Sequence, residues 1–300
     1  MLLASPCVVK EQVREVFGTE VANESNPTLR KRELGFLLRQ LRVDRGLSVE
    51  EVTQRAMFSQ TKLSRLETGR VGASPRDIRD LCIVYGVSDP EERERLMALA
   101  REGKQRAWWQ ELDLPYATYV GLEAEAVSIR GYNTEVVNGM LQVEGYARAI
   151  LGAGEPPQDR ATIDQRNEAR VKRQDLLTRE GGPDFHFILD ESALRRPIGG
   201  ADVMRSQIAR IIEVANFPRV RFQLIPLEVG AHPALDSTFV ILDFHKQSVN
   251  DVVYVEGVVG NIYLENAADL ERYRKLFSRL EAIALSPEES IALAERISLA

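Results

Sequence analysis

Three hundred residues with 44% apolar content can bury two ordinary cores, and no stretch approaches the roughly 20 uninterrupted apolar residues of a membrane-crossing helix. Two unrelated cysteines, Cys7 and Cys82, set aside a disulfide framework. The net charge of -6 argues against nucleic acid only if it is evenly spread, yet segment 28–80 holds twelve Lys or Arg against seven Asp or Glu, a local +5 that leaves -11 for the rest. A basic module joined to an acidic body concentrates attraction for phosphate at one end.

In chain order, residues 1–10 lack a basic region followed by a long apolar run, so a cytoplasmic protein without a membrane partner is expected. Cys7 follows Ala4, Ser5 and Pro6, with too short an apolar stretch for a lipid-anchored cysteine. Residues 1–27 read as an arm and linker, with an amphipathic run at 13–17 and a polar run at 23–27. Segment 28–103 then predicts five helices. The clearest apolar faces are Leu34, Leu37, Leu38, Leu41 in the first and Ile78, Leu81, Cys82, Tyr85 in the fourth, where Cys82 serves as a small buried hydrophobe. Ser48 with Glu51 forms a capping box for the second helix. Ser74-Pro75-Arg76-Asp77 and Asp89-Pro90-Glu91-Glu92 each place a cap, a proline and then acids, opening the fourth and fifth.

The third helix breaks this pattern. It begins at Ser59, but its third position is Lys62, a cation set against the positive end of the helix dipole. A serine-capped start that lacks its acid suits an external anion, and a DNA phosphate would turn the penalty into attraction. The plain alternative is a solvated surface lysine.

A helix over 49–55, a turn at 56–58 and a helix over 60–68 have the spacing of a helix-turn-helix, with Val52, Ala56, Leu63 and Leu66 as its small core and Gly69 as its stop. Ser59-Gln60-Thr61-Lys62-Leu63-Ser64-Arg65-Leu66-Glu67-Thr68-Gly69 resembles the recognition helix of the Xre/Cro/cI-type repressors, and the likeness spans about 34–88. Two positions depart from that family: Met57 stands where the tight turn usually carries glycine, which strains the turn, and Val49 replaces a common glutamine.

The resemblance implies that Gln60, Thr61 and Arg65 face base edges, Gln60 suiting adenine, Arg65 guanine and the Thr61 methyl thymine. It implies phosphate contacts for Ser59, Lys62, Ser64, Arg39 and Arg70, while Glu67 pairs locally or faces away. The implied partners are double-stranded DNA with a near-palindromic operator and a second copy of the chain, on half-sites roughly 34 to 36 Å apart.

After a charged linker at 101–106, residues 108–300 read as a larger domain opened by Trp108, Trp109, Tyr116 and Tyr119. Helices are predicted at 120–130, 143–151, 161–178 and 202–215, the last capped by Asp202 with Met204, Ile208, Ile211 and Ala215 on one face. Strands are predicted at 185–189, 220–225 and 238–244, with a hairpin over 252–264 turning near 257–260. Antiparallel pairing is expected, so the fold class is a mainly α helix-turn-helix domain followed by an α+β domain with an antiparallel sheet. A helix over 267–285 carries Leu270, Tyr273, Phe277, Leu280 and Ala284 at coiled-coil spacing, a stripe that is either core or a dimer seam. Ser286-Pro287-Glu288-Glu289 caps a terminal helix.

This half resembles the C-terminal domain of a large group of actinobacterial Xre-type regulators. The likeness rests on Asn138-Gly139-Met140-Leu141-Gln142 with Tyr146-Ala147-Arg148-Ala149, on Leu189-Asp190-Glu191-Ser192-Ala193-Leu194-Arg195-Arg196, on Ile225-Pro226 with Gly230-Ala231-His232, and on Tyr254-Val255-Glu256. Asn138 and Met140 depart from the family's Pro-Gly-Leu-Leu-Gln. The resemblance implies regulation, in a group often tied to antibiotic production or development, and assigns no ligand. Met140, Glu191, His232, Tyr254 and Glu256 are the candidates for an effector pocket.

Asp190, Glu191, His232 and Glu256 are the acid, base or metal candidates within motifs, and His186, His232 and His245 lack metal-ligand spacing. No phosphate loop or serine elbow appears, so neither an enzyme nor a cofactor or metal is expected, and Glu191 reads most simply as a cap or a partner for Arg195 and Arg196. The leading expectation for residues 108–300 is a regulatory domain that dimerises and senses a small-molecule effector; the main rival is an antitoxin-like or co-regulator protein whose acidic half binds a small protein partner.

Overall fold

The computed structural model describes residues 26–112, 114–154, 157–245, 249–257 and 260–299. The amphipathic run at 13–17 and Cys7 lie outside the described residues. The polar run expected as a linker ends in a helix cap. Asn26 accepts the amides of Thr28 and Leu29 at 3.0 and 3.1 Å, and Pro27 opens helix α1, Pro27–Asp44.

Four further helices follow as expected, α2 Val49–Ala56, α3 Gln60–Glu67, α4 Pro75–Tyr85 and α5 Pro90–Glu102. Their caps are those read from the chain, with capping boxes at Ser48–Glu51 and Ser74–Asp77. Leu34, Leu38, Val52, Leu63, Leu66, Ile78, Leu81 and Tyr85 close one core, and Cys82 is buried with them. Helix α1 crosses the end of α3 closely because Gly35 has no side chain; a Cβ there would stand 2.7 Å from the Glu67 carbonyl oxygen. The α2–α3 turn keeps the left-handed geometry usually given to glycine, with Met57 at φ 55° and ψ 42° and its side chain 88% exposed. The strain is borne without compensating packing, at a cost of about 1–2 kcal/mol.

The rest of the described chain builds one mixed sheet. Short helices α6 (Trp108–Glu111) and α7 (Ala117–Glu123) lead into strand β1, Ser128–Asn133. Helices α8 (Glu144–Gly152) and α9 (Arg160–Gln174) cross to β2, Asp184–Asp190. A single turn, α10 (Ser192–Arg195), and α11 (Ala201–Ala215) cross to β3, Val220–Ile225. Strands β4 (Phe239–Asp243), β5 (Val252–Gly257) and β6 (Gly260–Leu264) complete the order β3-β2-β1-β4-β5-β6, followed by α12 (Ala267–Ile283) and α13 (Pro287–Leu299).

The expected antiparallel sheet is corrected here: β1–β2 and β2–β3 are parallel, and the other three pairings are antiparallel. Parallel neighbours need long crossovers, which α8–α9 and α11 supply. The helix expected over 120–130 is in fact α7 followed by β1. Asp202 is likewise not the cap of α11; Gly200, at φ 91°, holds that place and Asp202 pairs with Arg205 inside the first turn.

Alternation along the strands divides two cores. Ile129, Phe187, Leu189, Phe222, Leu224, Leu242 and Val252 face one side, with Met204, Ile208 and Ile211 of α11 packed over them. Tyr132, Ile188, Ile225, Phe239, Ile241 and Val253 face the other, covered by Leu270, Phe277 and Leu280 of α12. The heptad-like stripe of α12 is therefore core of its own chain. The two halves of the chain also touch. Asn26 donates to the Gly121 carbonyl at 2.5 Å, and a Cβ on Gly121 would stand 2.7 Å from that of Thr28, so only glycine admits this contact. No helix among the described residues is long and apolar enough to cross a membrane.

Candidate nucleic-acid interface and C-terminal cleft

Helix α3 rests on Leu63 and Leu66, which are 0% and 3% exposed. Helical periodicity then turns Gln60, Thr61, Ser64 and Arg65 to solvent, and all four are exposed. Arg65 carries no ion pair among the described residues, and Gln60 makes only a long bond to Glu50 at 3.3 Å. Ser59 caps the helix by accepting the Lys62 amide at 3.1 Å.

Lys62 is held differently from the expectation of an unanswered cation. Its Nζ lies 2.6 Å from Asp77 Oδ1 and 3.9 Å over the Phe58 ring. Asp77 also accepts the Ser74 amide at 2.8 Å, closing the cap of α4. Burial pushes its carboxyl up, but the bonds from Lys62 and Ser74 outweigh this and hold it below the usual range. Lys62 thus ties α3 to α4, and any phosphate would share its donors with Asp77.

Glu67 is paired, though not locally as expected: its two oxygens take Arg42 of α1, 25 residues earlier, at 2.7 and 2.9 Å. Arg39 and Arg70, both exposed and without an ion pair among the described residues, line a groove of about 450 Å³ whose far wall includes Asn250, Tyr263 and Asn266. Arg32 lies on the same groove. It is paired to Glu265 at 2.9 Å and sits 5.8 Å over the Tyr263 ring, and burial lowers its guanidinium pKa while Glu265 partly restores it.

In the C-terminal half the expected effector residues separate. Tyr254 and Glu256 line a cleft of about 450 Å³ together with Tyr116, Tyr119, Asn138, Gln142, Phe239 and three arginines of α9. Met140 does not line it; it is 1% exposed inside the adjoining core. Glu191 is consumed structurally, as its plain reading anticipated. One oxygen takes Arg195 at 2.6 and 2.9 Å and the other accepts the Leu227 amide at 3.0 Å. Arg196 turns instead to Glu135 at 3.6 Å. His232 sits 3.4 Å from both Asp190 and the Tyr132 hydroxyl, apart from the cleft lining. No group of three or more His, Cys, Asp or Glu among the described residues is placed to hold a metal ion.

The residues missed from sequence are Arg166, Arg170 and Arg173, all facing the cleft. Their i, i+4, i+7 spacing was available, but a basic stripe on a polar helix ordinarily means a solvated face. Arg173 meets Glu123, which is 0% exposed, through bonds of 2.7 and 2.9 Å, and the Tyr119 hydroxyl donates to the same carboxylate at 2.7 Å. Burial alone would lower the Arg173 pKa; Glu123 reverses the sign and raises it. Burial beside that carboxylate pushes the Tyr119 hydroxyl up, and burial does the same to Tyr254.

Comparison with known families agrees with this division. Residues 33–96 match a helix-turn-helix domain, a DNA-binding module, and residues 116–296 match a domain of unknown function, DUF5753. No curated protein and no solved structure matches the chain. Since the second match spans more than half of its length, the chain belongs to the DUF5753 family, with a helix-turn-helix domain ahead of the family domain.

Proposed function

We propose that the protein is a cytoplasmic, sequence-specific transcriptional regulator of the Xre type, which places α3 in the major groove as a homodimer on a near-palindromic operator. The observation that carries this reading is the split of α3: leucines fully buried behind, and Gln60, Thr61, Ser64 and Arg65 exposed in front. Gln60 addresses adenine, Arg65 guanine and Thr61 the thymine methyl. Ser59, Ser64, Arg39 and Arg70 contact phosphates, with Lys62 contributing the donors that Asp77 leaves. The DUF5753 domain serves dimerisation and effector sensing and has no catalytic role.

Genome-wide mapping of bound sites tests the reading. One recurring motif with two half-sites about 34–36 Å apart is expected. Bound fragments sharing no motif would remove sequence-specific regulation, and a single undivided half-site would remove the dimer.

A further inference from the structure

The cleft beside α9 encloses charge that the fold does not use. The Arg173–Glu123 pair is closed, each charge answered by the other. Arg170 differs. Its Nε and Nη1 are shielded from solvent and meet no acceptor among the described residues, and the Nε of Arg166 is in the same condition. Two other lining groups are shielded without a partner among the described residues, the Tyr116 hydroxyl and, as an acceptor lacking a donor, Gln142 Oε1, on residues 9% and 6% exposed. Of the acids on the lining, Glu135 turns to Arg196 and Glu256 stands exposed at the rim. Burial depresses the Arg170 pKa and the neighbouring charges of Arg173 and Arg166 add to this, offset only in part by Tyr116 and the Glu256 carboxylate. Polar donors removed from water without acceptors are costly, and a fold that retains several in one cavity holds them ready for an incoming group.

We propose that this cleft binds a small organic oxyanion, a carboxylate or phosphate on an apolar ring-sized body, with Arg170 and Arg166 donating to the anion and the tyrosines receiving the body. Guanidinium forks match both oxyanions in shape and charge. The cavity of about 450 Å³ is within the range of small-molecule sites. Its aromatic wall is continuous, since the Tyr119 and Tyr254 rings lie 4.3 Å apart. The backbone at Gly139 lies against the guanidinium groups, since a Cβ there would stand in ordinary contact, 3.6 Å from both Arg170 Nε and Arg173 Nη1. The wall also leads to the DNA-binding half. Tyr254 meets Tyr263 at 5.4 Å, and the Tyr263 ring lies under Arg32 of α1. An occupant pressing on Tyr254 thereby bears on the contact that seats α1. This coupling rests on the effector-sensing reading above; binding in the cleft does not.

The test uses the full chain and two dyes, 8-anilinonaphthalene-1-sulfonate, whose sulfonate stands in for the oxyanion, and its uncharged counterpart N-phenyl-1-naphthylamine. Fluorescence titration is expected to show one saturable sulfonate site per chain, tighter than any site for the neutral dye. Arg170→Met is expected to weaken the sulfonate about tenfold or more while leaving the neutral dye and the thermal midpoint unharmed. Arg166→Met provides the same comparison should Arg170→Met not fold. Displacement by benzoate marks a carboxylate ligand and by phenyl phosphate a phosphate ligand. The proposal is overturned if both dyes bind the native chain alike, if neither arginine matters to the sulfonate, or if neither competitor displaces it. Duplex preference is measured in parallel. Arginine-dependent dye binding without duplex preference removes the regulator and keeps the site, whereas duplex preference with indifferent dye binding removes only the site.

Discussion

The arginines of the two halves differ in what surrounds them. On the helix-turn-helix side Arg39, Arg65 and Arg70 are exposed and free of ion pairs among the described residues. On the cleft face of α9 Arg173 is buried and Arg166 and Arg170 are half-buried, and the protein answers Arg173 with Glu123 while leaving donors of Arg166 and Arg170 open. Exposed arginines cost a fold little and suit a polymeric anion met at the surface, whereas enclosed ones carry a desolvation penalty that only a partner or a ligand offsets. Similar side chains thus point to DNA in one half and to a small molecule in the other.

The sharpest way to break this contrast is to remove the answered charge. Glu123→Gln strands Arg173 in the interior and is expected to cost about 3–5 kcal/mol in urea unfolding. A loss below about 1 kcal/mol would mean that water reaches the pair and the cleft is not enclosed. On the exposed side, Arg65→Ala is expected to cost about 1–3 kcal/mol on a selected duplex and little on random DNA. Equal losses on both would reassign Arg65 from bases to backbone.

A smaller effect concerns how the helix-turn-helix half is held. Met57→Gly relieves the left-handed turn at a cost in chain entropy, so a net gain of up to about 1 kcal/mol and a rise of a few degrees in thermal midpoint are expected. Destabilisation would show that Met57 makes contacts its 88% exposure denies.

The smallest is a pH effect. Burial holds the His186 imidazole below its ordinary value, only partly offset by Gln223 at 2.8 Å. As pH falls through the ordinary histidine value of about 6.5, the unfolded chain takes up a proton before the folded one, so stability declines on the acid side and levels off above it. His186→Gln is expected to flatten that decline in thermal melts at a series of pH values; an unchanged slope would assign it to other groups.

The helix-turn-helix half was largely legible because its signals are local. Ser48, Ser59, Ser74 and Asp89 cap where caps were read, and the leucines of α3 are buried where the period puts them. The sheet was legible strand by strand except for β1, whose alternation is interrupted by Gly131 and whose start was absorbed into the preceding helix. Without β1 one parallel partner of β2 was hidden; the other, β3, was predicted together with the helix that crosses to it, and the parallel pairing which that crossover implies was missed. In the cleft, Tyr254 and Glu256 were found from their motif, but Arg166, Arg170 and Arg173 were not. Whether a basic stripe faces water or a cavity depends on what packs against it. For α9 that is set by Glu123, some fifty residues earlier. Lys62 teaches the same lesson, since its anion is Asp77, fifteen residues away in the chain.

The measurement that bears most directly on the account is the ratio of affinities for a selected duplex and for random duplex, by fluorescence anisotropy at fixed salt. The account requires the native chain to prefer the selected duplex by at least about a thousandfold, with most of that ratio lost in Arg65→Ala while affinity for random duplex is kept. A native ratio near unity, or one indifferent to Arg65, would contradict it.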